Sequence, residues 1–192
     1  MSLDEKSEEC MLIRKAKQGN TEAFELLVKK YQQSIYYLCH RMIGIHQAAD
    51  DISQETFVKA FFSLPKFNEE MNFFTWIRKI TVNNTLNYLK RMKREEPLGK
   101  RENRITENLY SSSQELPQEK LEKMRMQEKF KEALQTLPAD QRIIFILRVY
   151  EDQSYKDISK LLNIPHGTVM SRLNRARKKL RVLMADYLEG RC

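Results

Sequence analysis

The sequence of 192 residues contains few of the residues on which tight turns and cross-links depend: 5 glycines, 5 prolines and 3 cysteines. Scarce glycine and proline argue against an all-β fold, because the many turns of such a fold need them. The three cysteines, Cys10, Cys39 and Cys192, are widely spaced and odd in number, so they do not form a disulfide framework. This cysteine usage is typical of a reducing cytoplasm. A helical fold is therefore favoured.

Long apolar segments are also missing from the sequence. The first 18 residues mix charges of both signs, so we expect no secretory signal peptide. Nowhere do 18 uncharged apolar residues follow one another, so no helix is predicted to span a membrane. We therefore expect a cytoplasmic protein.

Charged residues are abundant, and the positive excess is concentrated in two parts of the chain. The formal net charge is +8. Residues 65–105 contain 10 basic and 5 acidic residues, and residues 138–192 contain 11 and 6. The remaining segments, 1–64 and 106–137, are each close to neutral. Two separate basic segments indicate two contacts along one polyanion. The alternative is two solvated helix faces.

Apolar residues recur at helical spacing through much of the chain. Thr21, which follows Gly19 and Asn20, is the predicted N-terminal cap of one helix. The pattern predicts helices over residues 21–41, 48–63, 74–93, 119–135 and 139–149.

Residues 95–118 differ in character from these helical segments. They contain two prolines, a run of three serines and little apolar periodicity, which is typical of a flexible linker. We therefore predict an all-α protein of two small helical domains, residues 1–94 and 119–192, joined by a linker at residues 95–118.

A helix-turn-helix is predicted at residues 154–181. Ser154 and Asp157 resemble a capping box at the start of a short first helix. Residues 172–181 of the second helix include six basic residues and no acidic one, which is typical of a helix that lies in the DNA major groove. The alternative is an amphipathic surface helix packed on a core. The apolar stripe of the second helix consists of Val169, Leu173, Ala176, Leu180 and Leu183.

Residues 73–94 interleave aromatic, amide and basic side chains. Aromatic rings can stack on unpaired bases, and basic side chains can follow a nucleic-acid backbone. The alternative for the apolar members, Trp76 among them, is burial in the core. Amide side chains can hydrogen-bond a base edge that has left the stack. A core interpretation leaves three of them unexplained, namely Asn83, Asn84 and Asn87.

Residues 49–64 place acidic and amide side chains beside a strongly apolar face. Asp50 and Asp51 form a carboxylate pair, but no phosphate-binding glycine loop or matching histidine accompanies them. Acid–base or Mg²⁺ chemistry is therefore not favoured. An acidic, partly apolar helix surface favours docking to a partner protein.

Together these segments resemble a bacterial RNA polymerase sigma factor of the extracytoplasmic-function (ECF) group, the small two-domain type of the sigma-70 family. The resemblance covers nearly the whole chain, and the ordered combination of segments makes it specific. Met170 departs from the family, whose members commonly carry Arg or Lys there. We therefore assign −35 recognition mainly to Ser171, Arg172, Asn174 and Arg175. The matching segments are GNTEAFELLVKKY, DDISQETFVKAF, FFTWIRKITVNNTLNYLKR and LLNIPHGTVMSRLNRARKKL.

The resemblance implies that the first domain, sigma region 2, binds core RNA polymerase and recognises and melts the promoter −10 element. It implies that the second domain, sigma region 4, recognises the −35 element and contacts the polymerase β flap. An unpaired −10 base would enter a pocket near residues 65–74. The β′ clamp helices of the polymerase would contact Asp50, Asp51, Gln54, Glu55, Phe57, Val58 and Lys59. The −10 element would contact Trp76, Arg78, Lys79, Asn83, Asn84, Asn87, Lys90 and Arg91. The −35 element would contact His166, Thr168, Met170, Ser171, Arg172, Asn174, Arg175, Lys178 and Lys179.

The resemblance also implies an anti-sigma protein that holds the factor inactive by covering its polymerase-docking surface. A stand-alone helix-turn-helix regulator is the alternative, but it needs neither the Trp- and Asn-rich segment nor the acidic helix. An enzyme is disfavoured because no nucleophile–base or phosphate-loop pattern is present. Cys39, His40 and His46 lack a fourth ligand for zinc. We therefore predict no catalytic residue, cofactor, metal or small-molecule substrate.

Overall fold

The structure is a computed structural model that describes residues 3–95 and 118–185, and these form helices joined by short turns. The chain divides into two compact units, Met1–Leu98 and Gly99–Cys192. The predicted all-α fold is confirmed. The predicted linker, residues 95–118, lies outside the described residues apart from its two end residues, which belong to helices.

The first unit is built from helices that follow one another closely in sequence. The predictions for residues 21–41, 48–63 and 74–93 are confirmed, with each helix extended by at most two residues at either end. The periodicity does not predict the first helix, because charged residues interrupt its apolar face. The elements are α1 (Leu3–Lys17), α2 (Thr21–Ile43), α3 (His46–Ser63), a 3-10 helix (Leu64–Lys66) and α4 (Phe73–Glu95).

The start and end of α2 follow from side-chain and backbone chemistry. Its cap is Asn20, whose Oδ1 accepts a hydrogen bond from the backbone N–H of Ala23 at 2.8 Å. The prediction that Thr21 caps this helix is wrong, because Thr21 is already its first residue. The helix is terminated by Gly44, the C-terminal cap after Ile43, whose φ of 84° is a left-handed conformation that glycine adopts without a steric penalty.

The core of the first unit lies among α2, α3 and α4. Leu27, Ile35 and Met42 of α2 are completely buried, as are Ala60 of α3 and Ile77 of α4. Full burial of one such large aliphatic side chain contributes about 1.5–3 kcal/mol to the free energy of unfolding. This packing fixes which faces of α3 and α4 point outward, and those faces carry the predicted functional residues.

The second unit has its core on the central turn of α6. The predicted helices over 119–135 and 139–149 are confirmed. Five consecutive residues, Ile143–Leu147, are buried. The predicted stripe of α8 is buried from Val169 to Leu180, but Leu183 is 37% exposed because it is the last residue of that helix. The elements are α5 (Gln118–Gln135), α6 (Ala139–Val149), α7 (Tyr155–Leu162) and α8 (His166–Leu183).

None of the helices in the described ranges combines the length and the apolar character that crossing a bilayer requires.

Candidate functional site

The predicted helix-turn-helix is formed by α7, a turn and α8. The Oγ of Ser154 accepts a hydrogen bond from the backbone N–H of Asp157 at 3.1 Å, and its hydroxyl donates to the Asp157 carboxylate at 2.5 Å. Ser154 is therefore the N-terminal cap of α7, as predicted. The turn is made by Asn163, whose φ of 52° is left-handed. It is closed by the hydroxyl of Ser159, which donates to the carbonyl of Ile164 at 2.6 Å.

The faces of α8 separate by chemistry. Its stripe faces the core, while the opposite side presents a basic surface with two amide or hydroxyl side chains. Thr168 and Arg172 are half-buried at the edge between the two faces. The predicted −35 contacts that are exposed are His166, Met170, Ser171, Asn174, Arg175, Lys178 and Lys179.

Two of the predicted −35 contacts bond to residues outside α8. Arg172 Nε lies 3.1 Å from Oδ2 of Asp140, in the first turn of α6. Lys179 Nζ donates to the backbone carbonyl of Thr136 at 2.8 Å. The sequence pattern does not reveal these bonds, because their acceptors lie 32 and 43 residues earlier in the chain.

Helix α3 presents a mixed acidic and apolar surface. Asp50, Asp51, Gln54, Glu55, Val58 and Lys59 are all exposed, as the predicted docking role requires. Gln54 Nε2 donates to Oδ2 of Asp50 at 2.9 Å, and Lys59 Nζ lies 2.6 Å from Oε1 of Glu55.

One predicted docking residue is placed differently, and one exposed residue was not predicted. Phe57 is only 7% exposed and belongs to the core, although it also lines a groove of about 670 Å³ between α2 and α3. Phe62 is 77% exposed and follows the 55% exposed Val58 by one helical turn. The i, i+4 spacing of these two apolar residues is the signal that identifies the patch from sequence.

Helix α4 divides the predicted −10 residues into exposed and internal groups. Lys79, Asn83, Asn87, Lys90 and Arg91 are exposed. Trp76 is half-buried, and its ring centroid lies 4.9 Å from that of Phe67 and 5.5 Å from that of Phe73. Arg78 is 7% exposed, with its guanidinium 5.4 Å from the ring centroid of Phe74. Packing within the first unit therefore explains the positions of Trp76 and Arg78.

Asn84 corrects the sequence interpretation most directly. The expectation that packing leaves Asn84 unexplained is wrong, because the residue is 7% exposed. Its Oδ1 accepts a hydrogen bond from Lys59 Nζ at 2.8 Å, and its Nδ2 donates to Oγ1 of Thr56 at 3.2 Å. The amide joins α4 to α3 and supplies the polar partners that buried groups need.

The predicted docking and −10 residues meet in one cleft between α3 and α4. The cleft has a volume of about 270 Å³. Lys59 lies between the two groups, because its ammonium bonds both Glu55 on its own helix and Asn84 on the other. The cleft is lined by Asp51, Glu55 and Lys59 from α3 and by Asn84, Asn87 and Arg91 from α4.

The residues considered for zinc are only partly brought together. The imidazole centroids of His40 and His46 lie 4.3 Å apart, and the Tyr36 hydroxyl is hydrogen-bonded to Nδ1 of His46. Cys39 is fully buried, and its Sγ accepts a hydrogen bond from the Thr85 hydroxyl. Among the described residues, no group of three histidine, cysteine or carboxylate side chains is arranged to hold a metal ion.

Comparison with known proteins identifies the family of this chain. The sequence model of Sigma-70 region 2 matches residues 27–95, and that of Sigma-70, region 4 matches residues 127–180. The ECF RNA polymerase sigma factor SigW of Bacillus subtilis is 32% identical over 91% of this chain and 95% of its own. The ECF RNA polymerase sigma-E factor of Haemophilus influenzae is 31% identical over 88% and 91% of the two chains.

Solved structures agree with this relationship. The sigma factor RpoE of Bartonella quintana, solved in complex with the anti-sigma factor NepR, superposes with a TM-score of 0.63 and 25% identity, covering 84% of this chain and 96% of its own. CnrH, solved with the cytosolic domain of CnrY, shares the fold with a TM-score of 0.62 and 22% identity, covering 93% and 98%. The chain therefore belongs to the extracytoplasmic-function group of the sigma-70 family of RNA polymerase sigma factors.

Proposed function

We propose that this sigma factor binds core RNA polymerase through α3 and directs it to promoters whose −10 and −35 elements are read by α4 and α8. The observation that carries the proposal is the outward display of two basic, amide-bearing helix faces, one in each compact unit. In this proposal the factor provides promoter specificity in the cytoplasm and catalyses no reaction itself.

The surface of α3 supports docking to a protein. Exposed carboxylates at Asp51 and Glu55 offer acceptors for basic side chains, while Val58 and Phe62 offer apolar area. Aromatic and aliphatic anchors surrounded by polar groups are typical of protein interfaces. We assign this surface to the β′ clamp helices of the polymerase.

The exposed face of α4 supports contact with the −10 element. Asn83 and Asn87 are one helical turn apart, so their amides reach neighbouring positions on the same side of the helix. Amides pair well with base edges, and the flanking Lys79, Lys90 and Arg91 carry charge for the phosphates. The loop of residues 67–72 precedes α4, and we place the pocket for an unpaired base there.

The exposed face of α8 supports major-groove recognition of the −35 element. Asn174 and Arg175 lie at its centre, and their side chains match adenine and guanine edges, respectively. Lys178 is placed one turn later and is suited to a phosphate. Met170, also exposed, offers only an apolar contact.

An anti-sigma partner is proposed from the same docking surface. The related factor RpoE was solved bound to an anti-sigma factor. We propose that an anti-sigma protein covers the α3 surface and thereby excludes the polymerase. Co-purification with the product of the neighbouring gene at low salt tests this, and the absence of a complex rules out that neighbour.

Transcription in vitro tests the main proposal. Core polymerase, with and without this protein, is given a pool of fragments from the source genome. We expect new transcripts that start downstream of two spaced sequence elements. If no new starts appear and the protein alone binds duplex DNA tightly, the stand-alone regulator is correct instead.

A further inference from the structure

The loop between the 3-10 helix and α4 is tied to α1 by two basic side chains. Lys17 Nζ donates to Oε1 of Glu69 and to the backbone carbonyl of Phe67, each at 3.0 Å. Arg14 Nε donates to Oε2 of Glu69 at 2.9 Å. Both carboxylate oxygens of Glu69 therefore have a cationic partner on α1, 52 to 55 residues earlier in the chain.

The two cations differ in how firmly they hold the loop. The Lys17 side chain is 23% exposed, whereas that of Arg14 is 70% exposed. An exposed pair is screened by water and salt, so the Arg14 contact is the weaker restraint. Lys17 also bonds the main chain, which fixes the path of the loop and not only one side chain. We therefore regard Lys17 as the principal tether.

The rest of the loop is ordered by its own side chains. Phe67 is 3% exposed and anchors the start of the loop in the core. Asn68 Oδ1 accepts a hydrogen bond from the backbone N–H of Glu70 at 3.0 Å. Asn72 Oδ1 accepts from the backbone N–H of Thr75 at 2.9 Å, at the start of α4. Between these anchors the loop presents Glu70 and Met71 to solvent on a backbone of fixed shape.

We propose that α1 is a positioning element for −10 recognition and that Lys17, through Glu69 and the Phe67 carbonyl, holds the 67–72 loop where it receives an unpaired promoter base. This inference rests on the proposed function, which places that base at this loop. Helix α1 ends before residue 27, where the match to Sigma-70 region 2 begins. The tether therefore joins a helix outside the matched region to a loop within it.

Direct contact of Arg14 and Lys17 with DNA phosphates is the competing explanation for two cations at this place. The two explanations predict opposite effects of removing the Glu69 charge. If Arg14 and Lys17 bind DNA phosphates directly, the Glu69 carboxylate competes with the phosphates, and its neutralisation strengthens promoter binding. If the two cations instead hold the 67–72 loop in position, neutralising Glu69 loosens the loop and weakens its discrimination between bases of the −10 element.

The test uses the full chain with core polymerase and a promoter library in which each −10 and −35 position is randomised. The variants are Lys17→Met, Glu69→Gln and the double variant, with Lys17→Arg as the charge-retaining variant. Lys15→Met is the matched control, because Lys15 is an exposed lysine on the same helix. Circular dichroism and thermal unfolding of each variant report on the fold.

We expect Lys17→Met and Glu69→Gln each to reduce the preference for the favoured base at one −10 position by about three- to tenfold, the loss that corresponds to one or two net hydrogen bonds. The double variant should lose no more than Lys17→Met, because that change already removes both bonds from Lys17 to the loop, and Lys17→Arg should retain the preference. Preferences at −35 positions and the affinity for polymerase should not change.

Three results would overturn the proposal: a gain of promoter binding in Glu69→Gln, an equal loss in Lys15→Met, or a loss spread evenly over all promoter positions. If Lys17→Met fails to fold, Glu69→Gln alone decides, because the Glu69 side chain is 39% exposed and its removal does not disturb the core. The wild-type protein tests the proposed function by itself: if it gives no promoter-specific starts, the proposed function is wrong. If the wild type is active, the variants test the role of Lys17 and Glu69.

Discussion

Arg172 Nε lies 3.1 Å from Oδ2 of Asp140, so an ion pair joins α8 to the start of α6. The two side chains are 32% and 47% exposed, which leaves them within reach of an approaching duplex. An arginine that pairs with a carboxylate in the free protein must exchange that partner for DNA. Asp140 therefore opposes the DNA contact that the sequence assigns to Arg172.

We expect Asp140→Asn to raise promoter affinity of the polymerase-bound factor by about two- to fivefold, since partly exposed ion pairs are worth about 0.2–1 kcal/mol. Titration of a promoter fragment at fixed salt measures the change. Asp152→Asn is the control, because it removes one exposed carboxylate that pairs with Arg148 in the same unit. A gain of equal size in this control would mean that net charge, and not Arg172, is responsible.

Arg175 provides the complementary prediction, because it is exposed on α8 and no carboxylate contact holds it in the described structure. Replacing it with alanine should weaken binding to the preferred −35 element by about 1–3 kcal/mol, the value of a groove-reading contact. Competition between the preferred and altered −35 sequences measures the effect. Equal losses on every sequence would instead identify Arg175 as a phosphate contact.

The sequence predicts α8 well because one periodic pattern determines both of its faces. The apolar residues Val169, Leu173, Ala176 and Leu180 follow one another at steps of four, three and four. No acidic residue interrupts the basic side from Arg172 to Arg181. Packing on α6 then turns the basic side outward. The ion pair of Arg172 with Asp140 could not be predicted in this way, because the periodicity of one helix carries no information about partners on other helices.

Asn84 shows how the same reasoning fails on α4. Three asparagines close in sequence suggest one function, yet helical phase separates them. Asn84 follows the buried Ile77 and Thr81 at steps of four and three, which places it on the inner face, whereas Asn83 and Asn87 are exposed. That phase was available from sequence. Its partners, Lys59 and Thr56, required the structure.

We therefore expect different consequences for neighbouring asparagines. Asn84→Ala removes the hydrogen bonds that Thr56 and Lys59 make to α4 and leaves each of them with a partner on α3 alone, so it should lower the free energy of unfolding by about 1–3 kcal/mol. Asn83→Ala should change that free energy by less than about 0.5 kcal/mol, as is usual at the surface, and should instead weaken −10 recognition. Chemical denaturation and transcription from a −10 library measure the two effects. Equal stability of both variants would contradict the role of Asn84.

Cys39 should be inert toward thiol reagents in the folded protein. Burial raises the pKa of its thiol to about 12, although the hydrogen bond from Thr85 opposes this shift. In a Cys10→Ser, Cys192→Ser background, the reaction of Cys39 near pH 8 should be slower than that of an ordinary thiol by about two to three orders of magnitude, because the thiolate is the reactive form. Unfolding in urea should restore the rate. Fast modification without urea would show that Cys39 is accessible.

The tether between α1 and the 67–72 loop should respond to acid. The hydrogen bond from Lys17, which has the larger effect, and the hydrogen bond from Arg14 lower the pKa of the Glu69 carboxyl below its ordinary value of 4.5. A carboxyl whose pKa is lower in the folded state stabilises the fold at every pH above its ordinary value, and this contribution disappears as the pH falls through the lowered value. An acid titration monitored by carboxyl chemical shifts in NMR should give a titration midpoint for Glu69 below pH 4.5. The midpoint should be higher in Lys17→Met but unchanged in Lys15→Met. An unchanged midpoint in Lys17→Met would show that Lys17 does not hold Glu69 in solution.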